Sequence, residues 1–209
     1  MLQNVATRRL DLLFAGCTGA ARGACVLLGI VASCRARYGL HDAQPREPPM
    51  TDTSLSLRLV RDVPISPEQC FEGWTVPERL MPWFCPRPWR VVDCVIDLRP
   101  GGAFGTTMQS PEGVDLPSEA GCYLAVEAPH RLVWTNLLGP GFTPTAIQHP
   151  GFGFVCELRF DRLPDGGTRY QATVHHVDAA GRDAHAAMGF EAGWSAALDQ
   201  LVELMLGPR

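Results

Sequence analysis

The sequence contains no lysine. Its 18 basic residues are all arginine, and 22 acidic residues bring the formal net charge to −4. A chain with this balance lacks the positive field that attracts polyanions, so we expect no nucleic acid among its partners. The apolar fraction of 46% and the charged fraction of 19% are those of an ordinary globular protein.

Several catalytic and cofactor signatures are also missing. No Gly-x-Gly-x-x-Gly or Walker-type motif occurs, and the two glycines after Pro100 open a strand rather than a helix, so no phosphate-binding loop is predicted. Ser118 and Ser195 lack the surroundings of a nucleophile elbow, which leaves serine-hydrolase chemistry unsupported. We therefore predict no cofactor.

Close cysteine pairs of the C-x-x-C type are absent as well, and no cysteine and histidine cluster has ligand spacing, so no metal site is predicted. Reduced thiols in a cytoplasmic protein are favoured over a disulfide framework, because disulfides concentrate in smaller, secreted chains. The eight cysteines are Cys17, Cys25, Cys34, Cys70, Cys85, Cys94, Cys122 and Cys156.

Long hydrophobic runs are missing even from the alanine-rich N-terminus. Asp11 and Arg22 interrupt this segment, and its best apolar run, residues 24–32, is far shorter than the roughly 18 residues that a membrane-spanning helix needs. We therefore expect no membrane span.

Residues 1–49 nevertheless differ in character from the rest and admit two interpretations. Residues 31–34 resemble a lipoprotein cleavage site, which would make the protein an exported lipoprotein with Cys34 lipidated. The preferred interpretation is that translation begins at Met50 and that residues 1–49 are a start-site artefact or a disordered extension. On that interpretation the protein is cytoplasmic, with one domain at residues 50–209.

The periodicity of residues 50–209 predicts an α+β fold with the order β-α-α-β6-α. Apolar and polar residues alternate from Ser54 to Val63, as in a half-buried strand, and Ser66 opens a capping box at the start of a short helix. A second short helix and six antiparallel strands follow, and turn residues separate the strands. Asp183 to Leu206 reads as one long helix, in which Gly193 is expected to allow close approach to the sheet.

Three segments resemble a known family: residues 64–84, Asp97 to Gly102 and Met188 to Leu201. They are similar to the START-like (SRPBCC, polyketide cyclase-like) superfamily, and within it to bacterial homologues of the C-terminal domain of the heat-shock-protein ATPase activator. The resemblance covers about residues 54–206. It implies a helix-grip fold, in which a curved antiparallel sheet wraps around a long C-terminal helix.

The resemblance also implies a cavity between the sheet and that helix, which binds a small apolar or aromatic molecule. Large side chains with few polar groups are suited to line such a site, although plain core packing is the alternative for each of them. The candidate ligand-binding residues are Trp83, Trp89, Phe104, Trp134, Phe154, Tyr170, Met188 and Trp194.

The adjacent histidines, His175 and His176, are the obvious candidates for acid–base chemistry. Strand alternation sends them to opposite faces, and His176 shares the inward register with Tyr170. An inward histidine is either a core residue or a general base, and His185 near the cavity mouth is the second candidate. Both are weak catalytic candidates, and no full catalytic motif is present.

Three functions remain open, and the first, a non-catalytic binding domain, is favoured. The first is a binding domain for a small apolar molecule with a stress-related or regulatory role, and the second is a cyclase/aromatase-type enzyme. The third is a co-chaperone that stimulates a chaperone ATPase, for which the short N-terminal segment offers no support. The loop at 139–151 is either a surface excursion or a gate over the cavity, and the protein is expected to be a monomer or a homodimer.

Overall fold

The computed structural model describes residues 53–117, 120–146 and 151–207. The predictions for residues 1–49, including the start at Met50 and the lipidation of Cys34, lie outside these ranges. Among the described residues, no helix combines the length and the apolar character needed to cross a membrane.

Ten strands and four α-helices make up the described part of the chain, with 3-10 turns at Thr53–Leu55 and Pro140–Phe142. The helices are α1 (Pro67–Thr75), α2 (Pro77–Leu80), α3 (Ala179–Ala187) and α4 (Phe190–Leu206). The strands are β1 (Ser56–Val63), β2 (Arg90–Ile96), β3 (Ala103–Gln109), β4 (Asp115–Pro117), β5 (Gly121–Glu127), β6 (Arg131–Thr135), β7 (Leu138–Gly139), β8 (Thr143–Pro144), β9 (Phe154–Arg162) and β10 (Thr168–His176).

Eight of these strands form one curved antiparallel sheet in the order β1-β10-β9-β6-β5-β3-β2, with β4 added against β3. β7 and β8 form a separate two-stranded ribbon, which begins at Leu138 and extends into the predicted 139–151 loop. The apolar side chains of the strands meet α1 and α4 in a single core. This arrangement confirms the predicted α+β helix-grip architecture.

The single long C-terminal helix of the prediction is in fact two helices. α3 begins after Asp178, whose carboxylate accepts a hydrogen bond from the backbone N–H of Gly181 at 2.7 Å. α4 begins after Gly189, which has a φ of 87°. Because a left-handed backbone at this position ends one helix and redirects the chain into the next, the prediction of one continuous helix was wrong.

The glycine that permits close packing is Gly73, not Gly193. A Cβ added at Gly73 would lie 2.5 Å from Leu201 Cδ1, so the absence of a side chain here lets Leu201 of α4 pack directly on α1. A Cβ at Gly193 would come no nearer than 3.8 Å to any heavy atom, the nearest being Pro86 Cγ. Gly193 therefore borders open space, which matters for the site described next.

Candidate ligand cavity

A cavity of about 550 Å³ lies between the N-terminal half of α4 and the connection from α2 to β2. Its size falls within the range of about 300–1,000 Å³ typical of small-molecule sites. Among the described residues, the sheet contributes only Met108 to the lining. Helices and connections therefore form more of the wall than the sequence analysis predicts. The lining residues are Trp74, Trp83, Phe84, Cys85, Pro86, Arg87, Trp89, Met108, His185, Met188, Gly189, Phe190, Gly193, Trp194 and Ala197.

Four of the eight predicted ligand-binding residues, Trp83, Trp89, Met188 and Trp194, line this cavity. Trp83 forms part of the inner wall and is only 2% exposed, whereas Met188 is 77% exposed at the rim. The wall thus grades from a dry aromatic interior to a flexible apolar rim, an arrangement that suits an apolar ligand entering from solvent.

The inner wall is built on Trp74 of α1, which sequence reasoning did not select. Its ring lies 5.0 Å from that of Trp83 and 6.1 Å from that of Trp194, measured between centroids. Its indole N–H donates a hydrogen bond to the hydroxyl oxygen of Tyr170 at 3.2 Å. Tyr170 does not line the cavity but holds Trp74 from below, and burial raises the pKa of its hydroxyl so that it stays protonated.

Phe104, Trp134 and Phe154, the other predicted ligand-binding residues, lie on the sheet and do not line this cavity. They form a continuous aromatic layer, with ring centroids 4.7 Å apart for Phe104 and Trp134 and 5.1 Å apart for Trp134 and Phe154. Their contact with a ligand stays a prediction, since in the structure they contact one another and the core.

One polar side chain of α4 secures the outer wall of the cavity. The Gln200 amide nitrogen donates hydrogen bonds to the carbonyl oxygens of Trp83 at 3.0 Å and Cys85 at 2.9 Å, and its amide oxygen accepts one from the N–H of Arg87 at 3.0 Å. The sequence places Gln200 on the polar side of the helix, and nothing in its spacing reveals this role. The one signal in the sequence is the proline-rich segment between α2 and β2. Its backbone N–H and C=O groups lie outside helices and strands, so they need hydrogen-bond partners elsewhere.

The two histidine candidates meet at the edge of the cavity. His176 is buried on β10 in the same register as Tyr170, the orientation that strand alternation predicts, and His185 reaches it from α3. His176 Nε2 lies 3.0 Å from His185 Nδ1, and His176 Nδ1 lies 3.2 Å from the carbonyl oxygen of Leu55. The His185 ring stacks on Phe152 with centroids 4.5 Å apart.

Both imidazoles are held in the neutral form. Burial, and to a smaller extent the neighbouring His176, lower the pKa of His185 to about 4. Burial is also the main cause of the lowered pKa of His176, although its hydrogen bond to Leu55 opposes the shift. At neutral pH the cavity therefore presents an uncharged imidazole.

The remaining chemistry of the wall is limited. Cys85 lines the cavity, but burial raises the pKa of its thiol and disfavours the nucleophilic thiolate. Arg87 lies 3.3 Å from a carboxylate oxygen of Glu203, at the outer surface. Within the described ranges, no group of three or more histidine, cysteine or acidic residues has the geometry to hold a metal ion.

A second depression lies on the outer face of the sheet, along β1 and β10. Its charged groups already pair with one another: Arg169 Nε is 2.9 Å from Asp62 Oδ1, and Gln171 donates a hydrogen bond to Asp161 at 2.6 Å. A ligand there would compete with these pairs and with water, so the apolar cavity is the stronger candidate site.

Comparison with known proteins places this fold in a family. The family model described as Activator of Hsp90 ATPase homolog 1-like protein matches residues 64–205. No curated protein matched the sequence.

Several solved structures resemble the chain. A protein from Nitrosomonas europaea is 37% identical and has a TM-score of 0.69, with 74% of this chain and 96% of that chain covered. A protein from Rhodobacter sphaeroides is 25% identical with a TM-score of 0.62, covering 73% and 92%. An AHSA1-like protein from Aeromonas hydrophila shares the fold at 20% identity with a TM-score of 0.54, covering 72% and 92%. The chain belongs to the family of Activator of Hsp90 ATPase homolog 1-like proteins, within the START-like superfamily.

Proposed function

We propose that this domain binds a small apolar or aromatic molecule in the cavity beside α4. The observation that carries the proposal is the wall itself: tryptophan, phenylalanine and methionine side chains line a pocket of about 550 Å³ that opens to solvent. Without a ligand, water covers this apolar surface. A ligand that displaces the water buries apolar area, which is favourable by about 25 cal/mol per Å².

The support for a cytoplasmic location comes from the cysteines. The five cysteines in the described ranges, Cys70, Cys85, Cys94, Cys122 and Cys156, are all free thiols. Free buried thiols are typical of proteins in reducing compartments. A stress-related role and a chaperone partner rest on the family name alone, and we give them less weight.

An enzyme that moves a proton on a bound ligand is the second candidate. The position of His185 on the cavity wall favours it, because a general base must lie within reach of its substrate. Its pKa of about 4 counts against it, since a general base works best with a pKa near the operating pH. Binding is the more economical proposal, since it requires only the apolar wall.

The test is a substitution at Gly193, which lines the cavity and has room for a larger side chain. Gly193→Leu is expected to weaken the binding of N-phenyl-1-naphthylamine, an uncharged fluorescent probe, by about tenfold or more, which corresponds to about 1.4 kcal/mol. The leucine side chain would occupy the volume that the probe needs. Fluorescence titration of the full-length protein measures the affinity, and native mass spectrometry shows whether a co-purified molecule disappears in the variant.

Gly193→Ala is the matched control. It adds a single methyl group with no atom closer than 3.8 Å, so probe affinity should change by less than about twofold. Circular dichroism must show both variants folded. A folded Gly193→Leu protein that binds the probe as tightly as the parent would place binding elsewhere and overturn the proposal.

A further inference from the structure

The two histidines at the cavity edge form a hydrogen-bond chain whose direction the structure determines. A carbonyl oxygen can only accept, so the 3.2 Å contact with Leu55 O requires the proton of neutral His176 to sit on Nδ1. His176 Nε2 then carries no proton and can only accept a hydrogen bond. The 3.0 Å contact with His185 Nδ1 in turn requires that nitrogen to carry the proton of His185.

This chain leaves His185 Nε2 as an unprotonated acceptor. No described side chain or backbone N–H donates a hydrogen bond to it, and His185 belongs to the cavity wall. The ring stacks on Phe152 at 4.5 Å and meets Phe190 edge-on at 5.0 Å, so these aromatic rings fix its plane. Within that plane, the hydrogen bond to His176 Nε2 favours the observed orientation, because a flipped ring would place Cδ2 where Nδ1 now lies.

We propose that the cavity selects apolar molecules that carry one hydroxyl or N–H group, because His185 Nε2 is a preset hydrogen-bond acceptor. This inference rests on the proposed binding function and names the class of ligand: an apolar or aromatic body with a single hydrogen-bond donor. His176 is a positioning residue in this scheme, since it acts by fixing the tautomer of His185.

The same chemistry disfavours two other ligand classes. A ligand that offers only acceptors, such as an ether, would bring its lone pairs against the lone pair of His185 Nε2 and leave both without a partner. A ligand without polar groups would desolvate Nε2 and give it nothing in return. The cavity wall therefore discriminates between ligands by the hydrogen bonds that they leave unmade as well as by their shape.

A pair of probes in which a methyl group replaces the donated proton tests this inference, and the variant without the acceptor corrects for the size of that methyl group. In the full-length protein, 1-naphthol is expected to bind about threefold to tenfold more tightly than 1-methoxynaphthalene, the usual range for one neutral hydrogen bond. His185→Phe keeps an aromatic ring beside Phe152 but removes the acceptor. The variant should therefore bind the two probes with about equal affinity. His175→Gln, on the adjacent outward position, is the matched control and should leave the preference unchanged.

The role of His176 needs a readout that packing alone would not move. Long-range proton–nitrogen NMR correlation of histidine-labelled protein is expected to show the proton of His185 on Nδ1. In His176→Phe it should move toward Nε2, because the acceptor for Nδ1–H is gone. The preference for 1-naphthol should fall with it, since Nε2–H donates rather than accepts.

The outcomes separate the two proposals. If neither probe binds, the proposed binding function fails. If both bind with equal affinity in the parent protein, the function stands and the inference about His185 is overturned. A His185 proton on Nε2 in the parent protein would overturn it as well, whatever the affinities.

Discussion

Gly102→Ala is expected to destabilise the domain by about 3 kcal/mol or more, at the upper end of the range for single substitutions. A Cβ at this position would lie 1.9 Å from the carbonyl oxygen of Asp97, closer than any non-bonded contact allows. The backbone cannot retreat easily, because Asp97 N donates to Ala103 O at 2.9 Å and Tyr123 N donates to Gly102 O at 3.0 Å. Urea unfolding followed by tryptophan fluorescence measures the change.

The same substitution at Gly193 provides the comparison. Gly193→Ala is expected to stabilise the domain by about 0.5–1 kcal/mol, because alanine loses less conformational entropy in a helix and meets open space here. Both substitutions add the same methyl group. Opposite effects on the free energy of unfolding would therefore come from the surroundings of each glycine. A Gly102→Ala protein within about 1 kcal/mol of the parent would show that the turn relaxes, and that this glycine does not fix the β2–β3 connection.

The fold could be predicted because local patterns and the global architecture agree in this chain. The capping box at Ser66 is present, with Gln69 N donating to Ser66 Oγ at 3.2 Å and Ser66 N donating to Gln69 Oε1 at 2.9 Å. The break between α3 and α4 at Gly189 could not be predicted. A glycine within an apolar helical pattern is compatible with a continuous, weaker helix, and the sequence does not reveal that its φ is positive. The spacing of apolar residues reveals the helical period, whereas the backbone conformation of one residue depends on how the segments before and after it pack.

The candidate site was less predictable than the fold. Strand alternation correctly turned His176 inward, but its contact with His185 depends on where α3 packs against β10. Aromatic residues on strands and helices look equally suited to a cavity in the sequence. The structure separates Trp83, which lines the cavity, from Phe104, which packs in the aromatic layer beside it. That division follows from the path of the proline-rich connection and from Gln200, which secures it.

Acidification from pH 6.5 to 4.5 is expected to cost the domain about 1 kcal/mol through His185, roughly half of what its full pKa shift implies, because solvent screens the partly exposed ring. The folded pKa of His185 is lowered to about 4 from 6.5, so in this window the unfolded chain takes up a proton that the folded chain refuses. Stability is therefore complete above pH 6.5 and is lost as pH falls toward the folded value. His176, whose pKa is also lowered, adds to the loss in the same direction.

The surrounding charges do not reverse this expectation. Arg182 and His175 lower the pKa of His176, and Asp178 raises it only partly, while burial remains the main cause. Carboxylates with lowered pKa values, such as Asp62 and Glu157, start from ordinary values of 3.8 and 4.5. Their stabilising contribution is lost mainly below pH 4.5, so the window above it reports the histidines.

Urea unfolding at pH 7.0, 6.0, 5.0 and 4.5 measures this loss. His185→Phe should be less stable at pH 7, because His176 Nε2 loses its donor, yet its stability should fall less on acidification since one titrating group is gone. His175→Gln should keep the slope of the parent protein. Equal slopes in the parent protein and His185→Phe would mean that His185 titrates at its ordinary pKa. The neutral acceptor at the cavity wall would then be lost just below neutral pH.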